Sequence, residues 1–380
     1  MQLSFVLFLL LPLVSSITHG SDQITDTCDC GYTADAGSSP WTDMWHIDFR
    51  QVSDPRHVPD IFVATYQIKA KYENTLDRTF YSQNVRMDPD FGALQIVVSN
   101  NDQRLQCGGF GTQRRDFLYG SFRSYMRTTS VNGTVAAMYL YNTEQEIDIE
   151  ILSAVEPPQS YFAIHPGLLE DGKASHLTHD NHWLGFDPSL EFHEYRFDWM
   201  PGLVIFYIDG QEAQRMATNI PNMPSRFMFN HWSDGNPNFS RGPPEQDAIF
   251  EVMNITAFFN YSMPDGTLGT PKCQRSTEPC NINGIVDYLS QQTLVANGTT
   301  AANASSSSSS SDDTQPPQIT ASLTSDTSEH ISPSSSLIFF FFGGDYFVFY
   351  MSYWYINDTE KSNILYTNND MVSKSTMQPC

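Results

Sequence analysis

The chain has 380 residues, with 20 Lys and Arg against 43 Asp and Glu, so its formal net charge is −23. A surface this acidic repels phosphate backbones, and we expect no nucleic-acid partner. Aromatic residues make up 13% of the chain and the mean hydropathy is −0.34, which excludes a largely disordered chain and a polytopic membrane protein. The length allows two domains or one large β-sandwich.

The N-terminus indicates secretion. Residues 3–14 form an apolar run that is too short to span a bilayer, and small residues follow it. We therefore predict a signal peptide over residues 1–20 and a secreted, extracellular protein; a buried N-terminal strand is the alternative. Seven Asn-x-Ser/Thr sequons agree with a glycoprotein: Asn132, Asn238, Asn254, Asn260, Asn297, Asn303 and Asn357.

The cysteines also fit an oxidising compartment. They are Cys28, Cys30, Cys107, Cys273, Cys280 and Cys380, and six cysteines allow about 15 pairings. Cys273 and Cys280 are close enough in sequence to close a small loop, and Cys28 or Cys30 could tie the N-terminal segment to Cys107. We expect no zinc site, because no second Cys/His pair has the spacing of a zinc finger.

From Trp41 to about Asn260 the sequence is typical of short strands. Alternating apolar runs occur at residues 62–68, 94–98, 135–141 and 203–208. Turn residues separate the runs, as at Asn132-Gly133 and Asp209-Gly210. Many short strands at this spacing predict an all-β fold, a β-sandwich or jelly roll.

The composition changes after Cys280. The segment 286–336 is rich in Ser and Thr, with seven consecutive serines from Ser305 to Ser311, and we expect a disordered linker. Residues 337–356 are apolar enough to cross a bilayer but contain Asp345, and polar residues follow. Residues 337–380 are therefore either a means of membrane or cell-wall attachment through the C-terminal region or a non-native tail.

The most informative segment is Glu144–Leu152, in which residues 146–151 alternate strictly between acidic and apolar residues. As a strand it directs Ile147, Ile149 and Ile151 to one face and Glu146, Asp148 and Glu150 to the other. Adjacent carboxylates on one face repel one another, and the repulsion raises the pKa of at least one of them.

Paired carboxyl groups suit the hydrolysis of a glycosidic bond. A retaining glycosidase needs two carboxyl groups about 5–5.5 Å apart. The Cα atoms of Glu146 and Glu150 would lie roughly 13 Å apart in an ideal strand, so their side chains must lean together over Asp148. A solvated strand face or a calcium-binding cluster is the alternative.

The motif EIDIE at 146–150 resembles the signature of glycoside hydrolase family 16, whose members include β-glucanases and transglycosylases with a concanavalin-like jelly roll. Further segments are similar to the family in the expected order: Tyr119–Arg127 to the strand before the catalytic one, Phe192–Pro201 and Ile205–Gly210 to a hairpin, and Pro224–Trp232 to a late cleft strand. The resemblance covers about residues 41–260. It implies a jelly roll of two antiparallel sheets with a concave substrate cleft, which we assign to residues 21–285.

The resemblance implies that Glu146 is the nucleophile, Asp148 the assisting carboxylate and Glu150 the acid/base. It implies a secreted glycosidase that cleaves internal β-1,3 and/or β-1,4 linkages of a β-glucan with retention of configuration. The unbulged E-x-D-x-E form is that of lichenases and cell-wall transglycosylases, which argues against strict β-1,3 specificity. A transglycosylase, a lectin-like binding module and a structural cell-wall protein are the other candidate functions.

Aromatic rings and amide or imidazole groups are expected to bind the sugars. The candidate substrate-binding residues are Trp232, Tyr139, Tyr141, His165, Asn230 and Trp183. The segment 236–244 departs from the NPxWSGGPP pattern expected in fungal members, because Phe239 and Arg241 replace Trp and Gly. We expect a monomer with no organic cofactor, since carboxyl groups and water suffice for this chemistry, and we assign no metal ligands.

Overall fold

The computed structural model describes residues 28–34, 40–90, 92–101, 104–274, 276–287 and 289. Within them the strands are β1 (Tyr32–Thr33), β2 (Asp43–Asp48), β3 (Ile61–Val63), β4 (Gln67–Ile68), β5 (Arg78–Phe80), β6 (Val85–Met87), β7 (Leu94–Asn101), β8 (Arg104–Thr112), β9 (Phe117–Arg127), β10 (Val135–Tyr141), β11 (Glu146–Leu152), β12 (Gln159–His165), β13 (Leu169–Glu170), β14 (Lys173–Ala174), β15 (His179–Trp183), β16 (His193–Met200), β17 (Leu203–Ile208), β18 (Gln211–Met216), β19 (Arg226–Trp232), β20 (Ala248–Tyr261) and β21 (Cys280–Asn281). Short 3-10 turns cover Phe49–Gln51, Pro55–His57 and Ser82–Asn84, and residues 282–287 are helical.

Several predictions lie outside the described residues. They concern the signal peptide at 1–20, most of the linker at 286–336, the segment 337–380, Cys380 and the sequons at Asn297, Asn303 and Asn357. Of the described residues, those up to Ile285 belong to one compact unit, and residues 286, 287 and 289 belong to a second. No helix in the described part of the chain is long and apolar enough to cross a membrane.

Two antiparallel sheets form the sandwich. The first, which we call the cleft sheet, has the order β3-β8-β19-β10-β11-β12-β15. The second, the outer sheet, has the order β6-β7-β20-β9-β16-β17-β18, and β2 pairs with the C-terminal half of β20. This architecture confirms the predicted all-β jelly roll.

The facing sides of the two sheets form the core. Period-two alternation sends the isoleucines of β11 inward, where at most 3% of each side chain is exposed. They join a cluster rich in phenylalanine that includes Phe110, Phe122, Phe162, Phe197, Phe227 and Phe229. Each such side chain contributes roughly 1.5–3 kcal/mol by leaving water, so the strand that carries the acidic residues is anchored from behind.

His231 is hydrogen-bonded at both ring nitrogens, and the bond to Ile96 on β7 links the cleft sheet to the outer sheet. Its Nδ1 lies 2.8 Å from the Ile96 carbonyl oxygen, and its Nε2 lies 2.8 Å from Thr134 Oγ1. Burial lowers the pKa of His231 to about 4, so the imidazole is neutral in the core at neutral pH.

Two features of the strand pattern differ from the sequence prediction. The apolar run at 62–68 is interrupted: β3 pairs with β8, whereas β4 pairs with β5. The chain changes partner at Ala64, whose N–H donates to the Gly109 carbonyl. In addition, β9 belongs to the outer sheet, and the strand next to β11 on its N-terminal side is β10.

The predicted cysteine pairing is wrong. Cys28 bonds to Cys280 and Cys30 bonds to Cys273, while Cys107 is a buried free thiol. The reason is topological, because β1 runs parallel to β21 and brings the two ends of the domain side by side. Proximity in sequence therefore did not determine which cysteines meet.

Candidate active site

The acidic residues of β11 lie on the floor of the cleft sheet. Across the strands Glu146 lies opposite Tyr141 and His165, Asp148 opposite Tyr139 and Ala163, and Glu150 opposite Ala137 and Tyr161. Paired residues of an antiparallel sheet share a face, so these side chains form one surface, as the alternation predicts. Glu146 and Asp148 are buried, with 8% and 6% exposed, whereas Glu150 is partly exposed.

His165 closes one end of this row. Its Nε2 lies 3.2 Å from Asp148 Oδ2, and Asp148 in turn shares a hydrogen bond with Glu146. One donor atom from each of the three residues lies within 4.8 Å of the others. The arrangement holds the proposed nucleophile in place, and it offers one proton that two carboxyl groups can exchange.

Burial controls the proton affinities of all three acids. It raises the pKa of Glu146 and Asp148 well above their ordinary values, and the negative charge of Glu150 acts in the same direction on both. Burial also raises the pKa of Glu150, to about 7, while electrostatic interactions with His165 and Arg78 oppose this rise. Glu150 is therefore a carboxyl group that can hold a proton near neutral pH and can also release it.

Tyr139 and Asn230 brace the floor beside the acids. Asn230 Nδ2 donates to the Tyr139 hydroxyl over 2.6 Å, and both residues are at most 8% exposed. The neighbouring strand β8 has Gly109 at this position, where any Cβ would collide with Asn230 Oδ1. That oxygen is buried without a hydrogen-bond partner among the described residues.

The predicted aromatic platforms differ in exposure. Trp232 is 4% exposed, because Phe239 stacks on it at 5.9 Å between ring centroids and the guanidinium of Arg78 lies 4.4 Å from its ring centroid. Trp183 is 64% exposed at the end of β15, the edge strand of the cleft sheet. Tyr141 is partly exposed beside Glu146.

The structure thus brings together Glu146, Asp148, Glu150, His165 and Tyr139, with Tyr141 and Asn230 beside them. Trp183 lies two strands away from the acids, beyond β12, and Trp232 lies within the cleft wall rather than on an open surface. Their role in binding sugars stays a prediction.

Sequence reasoning missed Arg78, Tyr161 and Asp234. Tyr161 pairs across the strands with Glu150, and the charges of Arg78 and Asp234 act on the Glu150 carboxyl in opposite directions. Tyr161 could have been found from the strand pairing, had the register been known. Nothing local in the sequence connects Arg78 or Asp234 to Glu150, because each is more than 70 residues away along the chain.

A cation placed between Glu146, Asp148 and His165 would neutralise the proposed nucleophile. The spacing of these donor atoms is accounted for by hydrogen bonding among themselves, and we assign none of them as a metal ligand.

The structure is thus an antiparallel β-sandwich with a row of three carboxyl groups on one face of the cleft sheet. Residues 72–249 match the model of the family described as Glycosyl hydrolases family 16. This match confirms the resemblance to glycoside hydrolase family 16 that the EIDIE motif predicts, and the family is one of glycosidases.

The chain is also similar to individual proteins. The chain is 29% identical over 179 residues to the beta-glucanase of Paenibacillus polymyxa, covering 45% of this chain and 71% of that protein. It is 32% identical over 174 residues to the xylanase/beta-glucanase of Ruminococcus flavefaciens, covering 41% of this chain and 20% of that protein. The structure of the Bacillus licheniformis beta-glucanase superposes with a TM-score of 0.48 at 22% identity, covering 56% of this chain and 97% of that one.

Proposed function

We propose that the protein is a retaining endo-glycosidase that hydrolyses internal β-1,3 and/or β-1,4 linkages of β-glucans. The observation that carries this proposal is the row of three carboxyl groups on one strand, of which Glu150 has a pKa raised to about 7 by burial. The relatives named beta-glucanase support a glucan as the substrate class.

The reaction proceeds in two displacements. In the first, a Glu146 oxygen bonds to the anomeric carbon while the bond from that carbon to the leaving oxygen breaks, and Glu150 gives its proton to the leaving oxygen. In the second, water gives a proton to Glu150 and bonds to the anomeric carbon, and the bond to Glu146 breaks. Two inversions at the same carbon retain its configuration.

Asp148 supports this chemistry by holding a proton. Glu146 must be ionised to attack, although burial raises its pKa. Burial raises the pKa of both carboxyl groups, so one proton can be shared across the hydrogen bond between them, and Glu146 carries the negative charge whenever that proton lies on Asp148. His165, 3.2 Å from Asp148, orients that carboxyl group.

Other candidate activities use the same cleft. In a transglycosylase a sugar hydroxyl replaces water in the second displacement, and the balance depends on how tightly the cleft binds an acceptor. A lectin-like module would bind glycans without cleaving them, but it would not need three crowded carboxyl groups. We propose secretion on the basis of the apolar N-terminal run and the sequons.

The test is the release of reducing ends from lichenan and laminarin, with products analysed by mass spectrometry. We expect Glu146→Gln and Glu150→Gln each to lower turnover by at least about 10³-fold. Glu144→Gln is the matched control, because Glu144 precedes β11 and is exposed, and it should keep full activity.

Two further measurements separate the candidates. Proton NMR of the first product formed should show the β-anomer if configuration is retained. Adding an oligosaccharide acceptor should give longer products only if transglycosylation competes with hydrolysis. Activity that survives Glu146→Gln would contradict the assignment of the nucleophile, and binding of glucan by wild-type protein without cleavage would favour the lectin-like module.

A further inference from the structure

A chain of contacts leads from Arg78 to Glu150 along one wall of the cleft. The Arg78 guanidinium lies 4.4 Å from the Trp232 ring centroid, and Phe239 stacks on Trp232. Tyr161 meets Phe239 at 6.2 Å with its ring nearly perpendicular, and Tyr161 is the cross-strand partner of Glu150. Arg78 therefore packs against the aromatic wall formed by Trp232, Phe239 and Tyr161, next to the proposed acid/base.

The strand register places this wall at the Glu150 end of the acidic row. Glu150 lies opposite Ala137, which lies opposite Asn230 on β19. Trp232 follows two residues later on β19, one row further from Glu146. Arg78, which packs on Trp232, is accordingly on the side of the proposed acid/base and not on that of the nucleophile.

Asp234 is attached to the same wall. The backbone N–H of Leu76, two residues before β5, donates to the Asp234 carbonyl over 2.6 Å. The Asp234 side chain is fixed as well, since its Oδ1 accepts from Ser240 Oγ at 2.7 Å and from the Asn236 N–H at 3.0 Å. A cation and an anion are thus held near Glu150 on two segments that are joined by the hydrogen bond between Leu76 and Asp234.

The charges on these segments act on Glu150 in opposite senses. Burial raises the pKa of Glu150 to about 7, with His165 and Arg78 lowering it and Asp234 raising it. The titratable and charged groups around this end of the cleft are Glu146 and Asp148 on β11, Tyr139 and Tyr141 on β10, Tyr161 and His165 on β12, His179 on β15, Arg78 on β5, and Asp234 and Arg241 on the loop after β19.

We propose that Arg78 is a positioning residue for the acid/base step and that Asp234 opposes the electrostatic effect of Arg78 on Glu150. Together they allow Glu150 to give and to take up a proton in one catalytic cycle. The inference rests on the proposed function. An acid/base that protonates the leaving group and then deprotonates water works best when its proton affinity lies near the working pH. Burial alone would make the proton affinity of Glu150 too high for release of the proton, and the positive charge of the Arg78 guanidinium lowers that affinity.

The experiment compares pH profiles of kcat/KM on lichenan for Arg78→Gln, Arg78→Lys and Asp234→Asn. Loss of the cation should move the alkaline limb up by roughly half a pH unit, the size expected for one charge acting across a partly solvated wall. Arg78→Lys keeps the charge and should leave the limb near its wild-type position. Asp234→Asn keeps the oxygen that accepts both hydrogen bonds and should move the limb down.

Arg86→Gln is the matched control, because Arg86 is an exposed arginine on β6 of the outer sheet. This variant should leave the profile unchanged. If Arg78→Gln raised KM while the alkaline limb stayed in place, Arg78 would be a sugar contact and the proposal would be overturned.

A second measurement does not depend on activity. The carboxyl carbon of Glu150 can be titrated by NMR in protein labelled with ¹³C-glutamate and assigned by its loss in Glu150→Gln. We expect Arg78→Gln to raise the titration midpoint and Asp234→Asn to lower it. Failure of the wild-type protein to cleave glucans would contradict the proposed function, while this titration would still decide whether Arg78 and Asp234 control Glu150.

Discussion

Replacement of Glu150 by glutamine should make the protein more stable at alkaline pH. Burial raises the pKa of Glu150 from 4.5 to about 7, so ionisation is harder in the folded protein than in the unfolded chain. Each pH unit corresponds to about 1.4 kcal/mol, which gives a cost of about 3 kcal/mol once both states are ionised. Because Glu150 keeps partial contact with solvent, we expect about 2 kcal/mol in practice.

The sign follows from the direction of the shift. Below pH 4.5 Glu150 is protonated in both states and costs nothing. As the pH rises from 4.5 through 7, the unfolded chain gives up its proton first, and stability is lost over that window. Glutamine has nearly the same shape as glutamate and does not ionise, so the free energy of unfolding of the variant does not fall over this pH range for this reason.

Urea unfolding followed by tryptophan fluorescence at pH 4 and pH 8 measures this effect. We expect Glu150→Gln to raise the free energy of unfolding by about 2 kcal/mol at pH 8 and to change it by less than about 0.5 kcal/mol at pH 4. Glu144→Gln, at an exposed position on the turn before β11, should have no effect at either pH. An equal change at both pH values, or none at pH 8, would refute the reasoning.

Three other perturbations test the fold and the cleft. The two disulfides close nearly the same loop, with sequence separations of 252 and 243, so Cys28→Ser alone should cost little in a urea titration, whereas Cys28→Ser with Cys30→Ser should cost about 5 kcal/mol. His231→Ala removes the hydrogen bonds of the imidazole and should lower the free energy of unfolding by about 2 kcal/mol at pH 7. This difference should become smaller as the pH falls from 6.5 to 4. Over that range the unfolded wild-type chain binds a proton at His231 while the folded protein does not, so the wild-type protein loses stability and the variant does not. Trp183→Ala should raise KM for glucan without changing the urea midpoint, because the Trp183 side chain is 64% exposed. Trp232→Ala should lower the urea midpoint, because Trp232 is buried. A lower urea midpoint for Trp183→Ala would contradict the assignment of Trp183 as a surface residue that contacts glucan.

The acidic strand could be derived from the sequence because its information is local. Alternation over the six residues 146–151 assigns the acids to one face and the isoleucines to the other, independently of the rest of the chain. The turn-separated apolar runs likewise predict many short antiparallel strands, and the predicted runs at 135–141 and 203–208 coincide with β10 and β17.

The tertiary structure decided everything that depends on residues far apart in the chain. The pairing of Cys28 with Cys280 follows from β1 lying beside β21, and spacing along the sequence favoured another pairing. The residue type and position of Trp232 predict an aromatic side chain that stacks on a sugar, but only the tertiary packing shows that Arg78 and Phe239 cover it.

The proton affinity of Glu150 was also beyond the reach of the sequence. Repulsion between neighbouring acids predicts the direction of the change, but its size depends on burial and on the charges of Arg78 and Asp234. Desolvation and Coulomb interactions act through space, and it is the folding of the two sheets that sets those distances. The sequence by itself therefore determined which acidic side chains share one face of β11, and the fold determined which other groups surround them and in which protonation state they act.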